Sequence, residues 1–391
     1  MNIAIVTTDY LPNYTGASVR VNGITEGLVK NGDKVIIITF KNEGNLVKKL
    51  IDGVTVYRLP YKKYLISGKI EIYSKFHIGR FLSLIKNIKK IIENEKINLL
   101  HVRPQLDFGF VGLYLRKKYK LPLIIEMHRF FSEVDYEAKK INKINALILN
   151  FLEKYLINKA DGMVVLTQTA KKDFSKSGIK SQIIVVPNSS NLKNDIKIKS
   201  KENKKYLIYT GMLRKNERLE NLLYAFKEIK EEIKNIYLYI TGDGEEQDNL
   251  INLAKKLKIE DSVKFFGKVS VTKLKSLLAQ ATLFVHPREN IKYHTNFIGL
   301  KFYDAINFGL PILTYDVGEV ATYIKDKKIG IVTEPNPSSF AKATIHLLKN
   351  KNLYNELKKN VLKESKKSDW KNCTINLHNY YKTFNVISKN K

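Results

Sequence analysis

Short apolar runs rich in β-branched residues take turns with segments of helical period from the first residue onward, and the pattern stops once and then starts again. Asn2–Thr7, Lys34–Phe40, Val54–Leu59, Asn98–Val102, Leu121–Glu126, Gly162–Leu166 and Gln182–Val186 read as strands covered on both faces, because they lack the polar alternation of a half-solvated strand. Between most of them lie helical segments at Ser18–Lys30, Lys75–Asn94, Phe108–Lys118, Ile141–Asn158 and Thr169–Ser177. Strand and helix in alternation build a doubly wound parallel sheet. Pro187–Lys204 is polar and without period, so it reads as a linker. Tyr206–Thr210 restarts the alternation, and strands follow at Ile236–Thr241, Ser262–Phe265, Thr282–His286, Pro311–Thr314 and Gly330–Val332. The expected fold is α/β, with two Rossmann-like domains facing a central cleft. They span 1–195 and 205–368, and a C-terminal helix in 369–391 is expected to pack back on the first. At 391 residues each lobe has enough chain for its own core.

Composition narrows the class. The single cysteine, Cys373, staples nothing and fits a reducing compartment. The net charge of +30 would attract phosphates, nucleic acid or an anionic membrane face, but it divides evenly, +15 on each side of Asp195. So even a spread reads as compositional bias. The most apolar stretch, Ile144–Leu152, is broken by Asn145 and Asn150 and is far shorter than the ~18 residues a membrane span needs. With a strand at the N-terminus and no signal segment, a cytoplasmic protein is expected.

In open α/β sheets, ligands bind beyond the carboxyl ends of the strands. The loop after the first strand lacks the Gly-x-Gly-x-x-Gly dinucleotide fingerprint. Gly16 there is either a turn residue or an opening for an anion or sugar hydroxyl at a helix start. In the second lobe Gly211 follows a strand, and Arg214 and Arg218 flank a helix start, where guanidinium forks either bind phosphate or sit solvated. Gly242 lies in a further glycine loop. The densest stretch runs from His286 to Pro311, where a strand ends at His286-Pro287 and a helix opens at Gly299-Leu300-Lys301.

That stretch resembles the signature of the family-four retaining glycosyltransferases of GT-B fold. Their two acidic motif positions fall on Asn296, a departure, and Asp304, with Gly299, Leu300 and Lys301 between them and Gly309–Pro311 behind. The similarity extends over nearly the whole chain: Gly16 and Asn31–Val35, Glu126-Met127-His128, Pro187-Asn188-Ser189, Gly211 through Phe226, Gly242–Gly244, and Phe266 to Val269. The family's usual Lys at the phosphate-side helix falls on Glu217, which leaves Arg218 or Arg214 to supply the charge.

The resemblance implies a retaining hexosyltransferase that moves a sugar from a nucleotide-diphosphate sugar to a glycan or lipid-linked acceptor in cell-surface polysaccharide or glycolipid synthesis. It also implies front-face transfer assisted by the leaving phosphate. His128, Arg218 and Lys301 become the catalytic candidates. Gly16, Gly211, Arg214, Gly242, Val269, Asn296, Gly299, Leu300 and Asp304 become the donor-binding ones. Cations and N–H donors would stabilise the departing diphosphate. No cofactor or metal is expected, since no Asp-x-Asp flanked by strands is present. The alternatives are a nucleotide-sugar epimerase of the same fold and a basic nucleic-acid-binding protein. The second lacks any helix-turn-helix, zinc or RNP signature, so no nucleic-acid partner is expected.

One local charge cluster stands out. Residues 58–103 carry +8, and Phe81-Leu82-x-x-Ile85-x-x-Ile88 places apolar residues at helical spacing beside Lys86, Lys89 and Lys90. That stripe either packs on the sheet or lies in the headgroups of an anionic membrane. Because acceptors in the resembled family are often lipid-linked, peripheral attachment to the inner face of the cell membrane is expected here.

Overall fold

A computed structural model describes residues 1–13, 15–41, 46–60, 78–103, 106–137, 139–192, 194–195, 205–288, 295 and 298–389. The chain divides into two units, Met1–Pro187 with Trp370–Lys391, and Asn188–Asp369.

In the first unit the apolar runs become β1 (Asn2–Val6), β2 (Lys34–Lys41), β4 (Val54–Pro60), β5 (Leu99–Val102), β6 (Leu123–Glu126), β7 (Gly162–Val165) and β8 (Gln182–Val185). A further strand, β3 (Val47–Ile51), completes a sheet of order β3-β4-β2-β1-β5-β6-β7-β8. All pairings are parallel except β3 with β4. The sequence reading missed β3 because an edge strand buries little. Lys48, Lys49 and Leu50 are exposed there, and lysines at an edge also discourage pairing with another chain. The strand order reverses direction between β1 and β5, which is where such sheets open a crevice at their carboxyl ends.

The Phe81–Ile88 stripe lies on the helix Ile78–Glu95 and faces inward. Leu84, Ile88, Ile91 and Ile92 are buried with Ala4 and Val6, and Phe81 and Ile85 pack against the same core. Burial of that face by the sheet removes it as a membrane surface. Only Leu82 of the stripe points outward. The remaining aromatic and basic residues of that cluster between 61 and 77 lie outside the described residues.

The C-terminal helix, Trp370–Lys389, belongs to the first unit. It approaches the helix Gly16–Lys30 at two glycines four residues apart. A Cβ on Gly23 would fall 2.0 Å from the Trp370 ring, and one on Gly27 would fall 2.3 Å from the Trp370 carbonyl oxygen. Pairing of His378 with Asp33 at 2.7 Å and a 3.0 Å bond from Tyr380 to the Gln182 carbonyl extend the contact.

The second unit holds β9 (Lys205–Thr210), β10 (Ile236–Thr241), β11 (Val263–Phe265), β12 (Leu283–His286), β13 (Ile312–Tyr315) and β14 (Gly330–Thr333). They form an all-parallel sheet of order β11-β10-β9-β12-β13-β14, whose direction reverses between β9 and β12. Alternation along β9 builds two cores, because Leu207 and Tyr209 join one cluster while Tyr206 and Ile208 join the other. The boundary between units falls at Pro187 and not at residue 195, since the first linker residues are packed. Asn188 donates to the Ile298 carbonyl at 2.9 Å, and Ser189 to that of Ser368 at 2.6 Å.

Candidate active site

In the second unit, the loops after β9, β10 and β11 stack through backbone contacts. Gly211 donates to the Thr241 carbonyl at 3.0 Å and Gly242 to that of Gly267 at 2.8 Å. A Cβ on Gly242 would lie 1.8 Å from the Gly211 carbonyl oxygen, and its φ of +121° is one that side-chain-bearing residues avoid. Gly211 has φ +147°, and a Cβ there would meet the Lys301 ammonium at 2.7 Å. The bare loop is therefore what admits Lys301.

Lys301 stands in the first turn of the helix Leu300–Asn307, whose N-cap is Gly299 and offers no side chain to its amides. The Phe302 N–H turns back to the Gly299 carbonyl at 3.2 Å, and the Leu300 and Lys301 amides stand at the helix end that favours an anion. The Lys301 ammonium lies 3.4 Å from a Glu217 carboxylate oxygen and 5.3 Å from the Tyr209 ring centre. His286, fully buried at the end of β12, places Nε2 3.2 Å from the same oxygen of Glu217. Arg288 is also buried, with its guanidinium 5.7 Å from the Phe302 ring centre. Burial lowers Lys301 to a pKa of about 8, Glu217 opposes this, and Arg288 and Arg214 add to the depression. Burial alone would raise Glu217, but His286, Lys301 and Arg288 together hold it below the usual carboxylate range. His286 is pushed down to about 3 by burial and by Lys301, so its ring is neutral.

Arg214 lies within electrostatic reach of Lys301, and Arg218 sits at a helix start. Arg218 takes a left-handed conformation (φ 54°) as the cap between the turn Lys215–Glu217 and the helix Leu219–Glu232, and it pairs with Glu220 at 3.2 Å. Asp304, one turn beyond Lys301, accepts a 2.6 Å hydrogen bond from the Ser190 hydroxyl, and burial raises its pKa to about 7. Leu300 is half-buried, as is Val269 just before the helix Val271–Gln280. Asn296 lies outside the described residues. Sequence reasoning passed over Arg288, although its place two residues after a strand-end histidine was a usable signal.

In the first unit a second cluster surrounds Glu126 at the end of β6. This carboxylate is fully buried and meets Arg20 at 3.0 Å, Arg103 at 2.9 Å, His128 at 3.2 Å and His101 at 3.4 Å. Arg20 also donates to the Val186 carbonyl at 2.9 Å, and Arg103 to that of Ala17 at 2.9 Å. Desolvation would raise Glu126, yet the two guanidinium groups and both imidazoles hold it far below the ordinary value. His128 is driven down to about 4 by burial against the opposing pull of Glu126, so it is neutral near pH 7 with part of its ring open to solvent. Gly16 opens its helix behind a Thr15 cap that accepts from Ser18 N–H, and the space where its Cβ would stand is empty. Among the described residues, no helix is long and apolar enough to cross a membrane.

The family model "Glycosyltransferase Family 4" matches residues 14–193, and "Glycosyl transferases group 1" matches residues 190–364. The chain belongs with the family-four-like glycosyltransferases of GT-B fold. Among curated proteins it is 20% identical to an alpha-monoglucosyldiacylglycerol synthase of Streptococcus pneumoniae, over 84% of this chain and 74% of that one. Sucrose-phosphate synthase from Thermosynechococcus elongatus superposes with a TM-score of 0.76 at 17% identity, covering 99% of both chains. Anabaena HepE, solved in complex with UDP and glucose, gives 0.72 at 14% identity over 98% of this chain and 100% of its own. This glycosyltransferase thus has the two Rossmann-like domains expected from its strand and helix alternation. The epimerase and nucleic-acid readings gain no support from these similarities.

Proposed function

We propose that this glycosyltransferase moves a hexose from a uridine-diphosphate sugar to a hydroxyl of a glycan or lipid-linked acceptor, with retention at the anomeric carbon and without a divalent metal. The observation that carries the reading is Lys301, set against the bare Gly211 loop at an uncapped helix start and accompanied by Arg288 and Arg214. That is a cationic, donor-rich pocket of the kind a diphosphate leaving group requires. As the bond from the anomeric carbon to the diphosphate oxygen breaks, negative charge grows on that oxygen, and the Lys301 ammonium and helix amides stabilise it. The acceptor hydroxyl forms the new bond to the same carbon, and its proton passes to the departing diphosphate. Asp304 takes the ribose hydroxyls, and Gly242 and Val269 line the base. In the first unit the neutral His128, oriented by Glu126, offers a hydrogen bond to a sugar hydroxyl. Uridine is supported by the UDP-bound neighbour, and a glycolipid acceptor by the diacylglycerol glucosyltransferase relative.

The test is a panel of UDP-, GDP- and ADP-sugars with chelator present. Thermal stabilisation by the uridine member, and turnover that gives a product with the donor's anomeric configuration by NMR, are expected. An inverted product, or turnover abolished by EDTA and restored by manganese, would overturn the corresponding part of the reading.

A further inference from the structure

The helix Lys143–Lys159 carries its apolar residues on two opposite faces. Leu149, Leu156 and Ile157 point inward and are buried. Glu153 lies on the same inner face and accepts from Phe131 N–H and the Ser132 hydroxyl, each at 2.7 Å, which fixes the helix against its neighbour Phe131–Glu137. The outer face is also apolar. Ile144 is 69% exposed, Leu147 64%, Ile148 40%, Phe151 68% and Tyr155 46%. At the 100° per residue of an α-helix these five fall within one arc about 100° wide. Asn145 and Asn150, which interrupt the run in sequence, stand off that arc. The Asn150 amide turns inward to the Ser132 hydroxyl at 3.2 Å.

So large an outward stripe on a single helix is unusual for a water-facing surface. Its borders decide what it faces. Lys143 and Lys154 flank one edge, Lys159 flanks the other, and Lys139 precedes the helix beside Lys140, which pairs with Asp135 at 3.8 Å. The helix's one acidic residue, Glu153, is buried on the opposite side. The stripe continues onto the helix Leu106–Tyr119, where Phe110 lies 6.5 Å from Tyr155 between ring centres and Tyr114 is exposed. Exposed Lys117 and Lys118 end that helix.

We propose that this face is a membrane-docking surface for an anionic phospholipid bilayer. Ile144, Leu147, Ile148, Phe151 and Tyr155 enter the headgroup layer, and Lys143, Lys154 and Lys159 meet the lipid phosphates. The favoured partner follows from charge. An apolar protein partner would be indifferent to a lysine border, whereas anionic headgroups above acyl chains match a cation-rimmed apolar stripe. The assignment moves docking from the helix Ile78–Glu95, whose stripe is consumed by the core, to a helix whose stripe is not.

Co-sedimentation of the full-length protein at low salt tests it, with vesicles of phosphatidylcholine alone and of phosphatidylcholine mixed with phosphatidylglycerol. Binding to the anionic vesicles and not the neutral ones is expected. L147S/F151S should lower the partition at least about tenfold, and K143E/K154E/K159E by a similar factor or more. K86E/K89E/K90E, on the helix whose stripe is buried, should lower it far less. F151W adds a second readout, since the chain's one tryptophan, Trp370, is buried. Its emission should shift to the blue on anionic vesicles. Unchanged partition in the stripe variants would overturn the proposal, as would a wild-type dimer that L147S/F151S converts to monomer without any vesicle binding. No donor sugar enters these measurements, so they stand or fall separately from sugar transfer.

Discussion

Lys301, in the first turn of its helix, and Glu217, in the turn after β9, face each other at 3.4 Å. The carboxylate holds the ammonium protonated against the pull of burial, and it subtracts charge from the site proposed to bind a diphosphate. Arg288, buried behind Phe302, restores a positive balance. Under the proposed function, the acidic residue at position 217 is offset by a cation that follows the end of β12.

Removing that carboxylate has a signed consequence. Glu217 raises the pKa of Lys301, so in Glu217→Gln the ammonium should lose its proton at a pH below the present value of about 8. UDP binding followed by calorimetry across pH should show its alkaline limb displaced downward. An unmoved limb would mean that Lys301 does not set it.

Lys301→Ala should lower turnover ~10²-fold or more, the usual cost of one donor aimed at developing charge. Arg214→Ala should cost about tenfold, because Arg214 lies within electrostatic reach of the ammonium. Arg218→Ala should change turnover by no more than about threefold, since its guanidinium is occupied with Glu220 at the surface. Steady-state kinetics on the three variants ranks them. Equal losses in Lys301→Ala and Arg218→Ala would place both cations on the diphosphate.

Period and spacing made the sheets legible, because a strand buried on both faces must be apolar throughout, as Ile3–Val6 and Tyr206–Tyr209 are. The edge strand Val47–Ile51 escaped because it buries almost nothing. The inward turn of Phe81–Ile88 and the outward turn of Ile144–Tyr155 could not be told apart beforehand, since helical period gives a stripe and not the side that the sheet will cover. Lys301 and Asp304 were readable from a local motif. The Glu126 cluster was not, because Arg20, on the helix Gly16–Lys30, and Glu126, at the end of β6, are 106 residues apart and only the folded sheet and its helix bring them together.

Asp304 should confer an acid limb on nucleotide affinity. Burial places its pKa at about 7, so the carboxylate proposed to accept ribose hydroxyls is formed only as pH rises through that value. UDP affinity should therefore increase between about pH 6 and 8. Asp304→Asn should weaken binding at pH 8 and flatten this limb. A limb that persists in the variant would assign the titration to another group.

Glu126 offers a test on stability. Among the described residues it is the carboxylate that pairs with both Arg20 and Arg103, with Arg20 and Glu126 fully buried and Arg103 nearly so, so Glu126→Gln removes the charge that faces both guanidinium groups. Breaking a buried pair in this way costs about 3–5 kcal/mol, and urea denaturation at pH 7 should show a loss of that order. The pH dependence follows from the sign of the shift. The folded-state pKa of Glu126 is depressed well below its unfolded value of ~4.3, so its contribution is fully present above that value and fades as pH falls toward the folded one. Wild type and Glu126→Gln should accordingly differ most near neutrality and converge in strong acid. Because His128 is oriented by the same carboxylate, the variant should also lose turnover under conditions where it remains folded. A variant as stable as wild type at pH 7 would show that water, not Glu126, balances the two arginines.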